Sequence, residues 1–284
     1  MIVNCSWSMV GGAACSKGNT AFFHPYGCSE FYSFNCDTKE WDTLPGHLDA
    51  CFSLRVIKDQ LTTVGGENSN KLFSYNETHK EWKESYPPMS TVRRYPAVAC
   101  AGRYVVVAGG CSGEEVGEIG EYLSSVEVMD TDARLWYTVA SLPRPMGVVS
   151  MAARRDKIYV LGDETTNVYH CSILSLLRPS DNHDTWTRLA DLPVSNSTVI
   201  NLGGKLICVG GCNDEGTDIN TVFYYDTPSG TWEEMGHVPG GVYFRMLVAT
   251  LPGDRLIVGT NVGDLDNTSC SINVARCKLF FESD

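Results

Sequence analysis

The chain has 284 residues, 22 Lys and Arg against 34 Asp and Glu, and a formal net charge of −12. That balance argues against non-specific binding to nucleic acid or to an anionic membrane surface. No apolar stretch reaches the roughly 20 residues needed to cross a bilayer as a helix.

In chain order, the first segment, MIVNCSWSMVGG (1–12), lacks a basic n-region and a long apolar h-region, so it reads as a strand ending in Gly11-Gly12 rather than as a signal peptide. FNCDTKEW (34–41) follows, then Leu44-Pro45, TTVGG (62–66), YNETHKEW (75–82), VVVAGG (105–110), MDTDARLW (129–136) and Leu142-Pro143. The second half repeats the series with IYVLGD (158–163), Trp186, Leu192-Pro193, LICVGG (206–211), YDTPSGTW (225–232), Val238-Pro239 and LIVGT (256–260). Short β-branched runs bounded by Gly read as buried strands, and Asn or Asp in the frame before Trp supplies the turn of a hairpin. Each unit therefore predicts four strands: a, after the Pro; b, ending at the Gly doublet; c, ending at the apolar residue seven before Trp; and d, starting at Trp.

The doublets or their degenerate copies end at 12, 66, 110, 163, 211 and 260, and the Trp series stands at 41, 82, 136, 186 and 232. A period of about 50 residues means a repeat architecture with one supersecondary unit per period; a generic sandwich predicts no such period. The length from Trp to the next doublet is nearly constant, whereas the length from doublet to Trp varies. The variation thus lies in the b–c loops, which share one face with the residues leading into strand a. Loops on a rigid scaffold carry function.

These residues resemble the kelch repeat of β-propellers across essentially the whole chain. VEVMDTDARLW (126–136) and LVATLPGDRLIVG (247–259) look like the intracellular metazoan kelch-repeat proteins in particular. The resemblance implies an all-β fold, a six-bladed kelch β-propeller with four-stranded antiparallel blades. It implies one domain over 1–284, with blade units ending near Trp41, Trp82, Trp136, Trp186, Trp232 and Phe281. Helix is expected to be nearly absent, and each Trp is expected to be buried between blades. Closure across the termini is short by about one strand, so either the chain is truncated or residues 1–5 and 277–284 improvise the ring's last blade.

Twelve Cys are present. Cys51 and Cys100 take similar places in strand a, and Cys111 and Cys212 directly follow a doublet. Cysteines in repeat register behave as small hydrophobes, so reduced thiols and a cytoplasmic location are expected. No paired CxxC predicts a structural zinc site.

The six His are scattered singly. The copper chemistry of galactose-oxidase relatives has no clustered His to rest on here, and the Glu-xxx-Asp-xxx-His iron motif of nitrile-specifier relatives is missing. No cofactor is expected. In substrate-recognising kelch proteins, Arg just after the Pro marker reads acidic or Ser-rich peptides at the channel mouth. The matching positions here are Arg93, Arg94, Tyr95, Arg144, Asn196, Tyr243 and Arg245. These predict a protein or peptide partner of acidic character, as in the substrate-recognition part of a ubiquitin-ligase adaptor, and no catalysis. Two alternatives stay open. The Arg residues pair with acidic b–c loops and only stabilise the face; or the chain is a small-molecule or sugar-processing enzyme of the mutarotase kind, which works through channel-mouth Arg and Glu. The loop carrying Glu114, Glu115, Glu118 and Glu121 would suit a basic partner.

Overall fold

The structure is a computed structural model that describes residues 2–5, 12–25, 30–46, 50–112, 120–147, 149–162, 166–178, 185–238, 247–261 and 270–276. Strand β1 (Ile2–Cys5) comes first. β2 (Gly12–Lys17), β3 (Thr20–Pro25), β4 (Phe31–Asn35) and β5 (Glu40–Leu44) then form one four-stranded sheet. β6 (Ser53–Ile57), β7 (Gln60–Gly66), β8 (Ser69–Asn76) and β9 (Glu81–Tyr86) form the next, followed by β10 (Ala97–Ala101), β11 (Tyr104–Ala108), β12 (Val126–Asp130) and β13 (Leu135–Val139). The fourth sheet holds β14 (Val149–Arg154), β15 (Lys157–Gly162), β16 (Val168–Ser172) and the two-residue β17 (Thr187–Arg188), with helix α1 (Ile173–Leu177) in its c–d connection. β18 (Thr198–Leu202), β19 (Lys205–Cys212), β20 (Asp218–Asp226) and β21 (Thr231–His237) complete the fifth.

These five sheets are antiparallel meanders of consecutive strands. The remaining sheet is composite. It orders β22 (Leu247–Leu251), β23 (Arg255–Asn261), β24 (Cys270–Arg276) and, outermost, β1 from the other end of the chain. The first strand of each sheet packs beside the first strand of the next, in the cycle β2, β6, β10, β14, β18, β22 and back to β2. The result is an all-β propeller of four-stranded antiparallel blades around a channel.

The composite sheet corrects one expectation, while its closing strand lies within residues 1–5, the N-terminal segment expected to help complete the ring. Residues 2–5 and Gly12 do not belong to a strand b of the first blade: β1 is the outer strand of the last sheet, paired Ile2 with Asn273 through Cys5 with Cys270, and Gly12 opens β2, an innermost strand. The first doublet is therefore out of register with the others, and the closing strand comes from residues 2–5. Phe281 and residues 277–284 lie outside the described residues.

The c–d turns follow their sequence frame. Asn35 Oδ1 accepts from the backbone N–H groups of Asp37 (2.9 Å) and Thr38 (3.1 Å), and Asn76 and Asp130 do the same for the two residues that follow at the matching offsets. Lys39, Lys80, Arg134 and Gly230 take the left-handed conformation four residues after the Asn or Asp. That geometry sets the register in which the apolar residue seven before each Trp stands opposite it: Phe34 with Trp41, Tyr75 with Trp82, Met129 with Trp136 and Tyr225 with Trp232.

The core lies between blades. Ile57, Val64, Leu72 and Met89 meet Val98, Val105, Val107 and Met129, and Trp136 covers this cluster. Removing each such side chain from water contributes about 1.5–3 kcal/mol. The indoles also tie neighbours together: Trp82 Nε1 donates to the carbonyl of Pro45 (2.9 Å), Trp136 to that of Pro87 (2.7 Å) and Trp232 to that of Ala190 (3.0 Å), each carbonyl belonging to the preceding blade's exit. Trp186 is buried, and Trp41, Trp82, Trp136 and Trp232 are intermediate in exposure, because strand d is outermost and leaves one ring edge in solvent.

Among the described residues no helix is long and apolar enough to cross a membrane. Eight described cysteines are free thiols. Cys51 and Cys100 are not equivalent: Cys100 lies inside β10, whereas Cys51 precedes β6 in a left-handed conformation.

Candidate functional site

Before β10 and before β18 the chain crosses the face that carries the b–c loops. The Gly doublets make that crossing tight. Gly110 has φ +86° and Gly211 φ +110°, a region that disfavours side chains. A Cβ on either would run into the carbonyl oxygen of the segment leading into the same blade, at Arg94 or at Ser195. With that approach open, Arg94 and Cys111 exchange backbone hydrogen bonds, each 2.9 Å, as do Ser195 and Cys212 at 3.0 and 2.9 Å. Cys111 and Cys212 are thus true equivalents, buried just behind the doublet. These bridges place the start of strand a beside the b–c loop.

The predicted site residues meet different fates. Arg94, Tyr95, Arg144 and Asn196 stand on this face. Arg144 is exposed. Arg94 is mostly covered and forms an ion pair with Glu67 at 3.3 Å, across the boundary to the preceding blade. Tyr95 (φ +50°) and Asn196 (φ +56°) both take left-handed conformations and line the channel mouth. Asn196 also borders an open depression of about 500 Å³ with Thr166, Ser195, Asn213 and Asp214.

Arg93 is a correction. Its side chain is 0% exposed and reaches no partner surface. Nη1 donates to the carbonyls of Gly109 (3.0 Å) and Ser125 (2.9 Å), and Nη2 donates to Ser125 Oγ (2.8 Å) and Glu127 Oε1 (3.1 Å). Glu127 Oε2 in turn accepts from the backbone N–H (2.7 Å) and the hydroxyl (2.8 Å) of Ser90. The physical reason is the side-chain alternation of extended chain: neighbours in sequence point opposite ways, so of Arg93 and Arg94 one turns inward. Tyr243 and Arg245 lie outside the described residues, as do Glu114, Glu115 and Glu118 of the acidic loop; Glu121 at its end is exposed, and its carbonyl accepts from the backbone N–H of Ser112 at 2.9 Å.

The channel has a volume of about 660 Å³ and is lined by the inner strands of all the sheets. One functional candidate there escaped the sequence reading. Arg55, in the middle of β6, is the single charged side chain in the lining among the described residues. Its signal was a cation inside the apolar run SLRVI. His24, near the mouth, packs between the rings of Phe31 and Phe52 at 4.5 and 4.7 Å. Among the described residues no three His, Cys, Asp or Glu side chains are grouped to hold a metal ion.

Comparison with known proteins meets this geometry at the repeats. The family profile for the Kelch motif matches residues 93–143 and 193–238, which run from the lead-in of β10 to just past β13, and from the lead-in of β18 to just past β21. Among curated proteins, the chain is similar to "Kelch repeat and BTB domain-containing protein 12" of Homo sapiens, 25% identical over 155 residues, 48% of this chain and 25% of that protein. It is also similar to "Kelch-like protein 35" of Mus musculus, 22% identical over 216 residues, 74% of this chain and 35% of that protein. The chain thus spans about a quarter to a third of these relatives. A solved structure described as "Structure of YjhT" superposes with a TM-score of 0.72 at 14% identity, covering 95% of this chain and 98% of that one; this likeness is one of fold. Doublet, Asx turn and Trp-bearing outer strand recur on the two blades that the profile matches, and over those residues the chain carries the Kelch motif.

Proposed function

We propose that this chain is a protein-interaction module, without catalytic activity, that binds an acidic peptide segment of a partner on its b–c loop face. The reading takes residues 1–284 as one domain, a ring of six blades with the composite sheet in the closing position. The observation that carries it is the Arg94–Glu67 pair. A guanidinium on this face already holds a carboxylate of the chain itself, across a blade boundary. The pair is partly covered, with 11% of the Arg94 side chain and 32% of the Glu67 side chain exposed, so a partner's carboxylate reaching this edge with better geometry competes for the guanidinium. Arg144 offers a second guanidinium, and Tyr95 and Asn196 offer polar groups between the two blades' loops. Charge-assisted hydrogen bonds here contribute about 1.5–3 kcal/mol each.

The channel lining supports binding over catalysis: among the described residues it holds no carboxylate and no imidazole. The curated relatives include one whose name carries a BTB domain, and we extend the reading to substrate recognition for a ubiquitin-ligase adaptor in the cytoplasm.

The test is affinity purification from native cells with mass spectrometry, followed by variants. Arg94→Ala and Arg144→Ala should each weaken the recovered partner, whereas Lys39→Ala in a c–d turn should leave it unchanged. Binding that survives the double Arg substitution but is lost on deleting residues 113–121 would assign the site to the acidic loop and overturn this reading.

A further inference from the structure

The channel holds a guanidinium whose charge no carboxylate answers among the described residues. Arg55 Nε donates to the carbonyl of Val98 on the next blade (2.7 Å), and Nη1 donates to that of Leu54 (2.7 Å). Arginine carries five N–H donors, so three remain, one on Nη1 and both on Nη2, and these are available to a carboxylate. The residue is half-buried and lines the channel. The strand registers place Arg55 opposite Thr62, three residues before the glycine of its blade. The same count gives Ala99, Ala152, Ile200 and Thr250 on the other blades. All four are uncharged and line the same channel as Arg55.

Among the described residues no carboxylate pairs with Arg55, although the chain as a whole carries a net charge of −12. Its titratable neighbours are the thiols of Cys15 and Cys100. Burial pushes Cys15 up to about 12 and Cys100 upward as well, so both are neutral at pH 7 and supply no counter-charge. Burial also pulls Arg55 below its ordinary value, against the pull of the two sulfurs. A desolvated cation with spare donors and no counter-ion is a state that an anion relieves, and a volume of about 660 Å³ is in the range of small-molecule sites.

We propose that the channel binds a small organic carboxylate, with its anionic head on the Nη edge of Arg55 and its body against Ala99, Ala152 and Ile200. This site is separate from the b–c loop face and stands or falls independently of the partner binding there. Bidentate geometry makes the fork specific, so a lysine would hold the charge but not the fit.

The probes are 4-fluorobenzoate and its neutral isostere 4-fluorobenzamide, followed by fluorine NMR line broadening on the intact chain. Broadening by the benzoate that saturates at millimolar concentration, with none by the amide, is the expected result; Arg55→Lys should weaken it about tenfold and Arg55→Gln should abolish it. Because Arg55 also bridges two blades, Arg55→Gln can fail to fold; the contrast between acid and amide in the wild type and the Arg55→Lys variant then decide. Equal response to acid and amide, no response to either, or unchanged binding in the Arg55 variants overturns the proposal. Complete displacement by physiological chloride assigns the site to an inorganic anion and also overturns it.

Discussion

Replacing Arg93 by Ala should destabilise the propeller without touching any exposed surface. In the native protein the guanidinium is 0% exposed and Glu127 2%, and the two are joined at 3.1 Å. The substitution deletes three further hydrogen bonds, to Gly109 O, Ser125 O and Ser125 Oγ. It strands a buried carboxylate whose remaining donors belong to Ser90. Removing one partner of such a pair costs about 3–5 kcal/mol, or about 6–15 °C in Tm for a domain of this size. The double variant Arg93→Met with Glu127→Leu should recover most of that loss, since an apolar replacement of the whole pair is close to neutral.

The penalty has a pH signature. Burial pushes the Glu127 carboxyl up, but the hydrogen bonds from Ser90 and Arg93 and the Arg93 charge outweigh it and hold the group below its ordinary 4.5. A depressed folded-state value stabilises above the unfolded value and is lost as pH falls below it. Without Arg93 the balance reverses, the carboxyl rises, and its burial penalty is relieved as pH falls through the new value. The gap in Tm between wild type and Arg93→Ala should therefore narrow from pH 7 to pH 4. Calorimetry across that range checks it. A variant within about 2 °C of wild type at pH 7, or a gap that does not change with pH, would refute the buried-pair argument.

Trp136→Ala should cost about 3 kcal/mol in chemical denaturation, the lower end for a large aromatic because the ring is half-buried, whereas Trp136→Phe should lose only about 1 kcal/mol, for the hydrogen bond to Pro87. Native alkylation with iodoacetamide at pH 8, read by peptide mass spectrometry, should modify half-buried Cys51 well before Cys171 and Cys208, because burial pushes Cys171 up to about 12 and Cys208 higher still; denaturation should abolish the difference.

Much of the blade was legible because its signals are local. The Asn or Asp, the left-handed residue and the Trp sit within one hairpin, so their spacing alone sets the cross-strand pairing of Phe34 with Trp41 or Tyr75 with Trp82. The first doublet misled for the same reason. Gly11-Gly12 has the composition of the others, but Gly12 begins an inner strand, and only the pairing of β1 with β24 reveals it. Arg93 and Arg94 were inseparable by register, since which of them turns inward depends on Glu127, 34 residues on. Arg55 carried a readable signal, a cation in an apolar strand, but its lack of a counter-ion appears only once the inner strands surround it.

The pairing of Ile2 with Asn273 has a consequence for how the molecule is made and how it comes apart. Among the described strands every other neighbour lies within its own sheet's stretch of chain, whereas β1 can pair only once β24, near the far end of this stretch, has been made. Relative to a ten-residue hairpin, closing a loop of this length costs on the order of 3 kcal/mol more in chain entropy. The seam between β1 and β24 is therefore where the ring should open first under denaturant, and its amides should exchange with solvent ahead of those in β10 to β13. A four-residue strand thus acts as the latch on the whole circle.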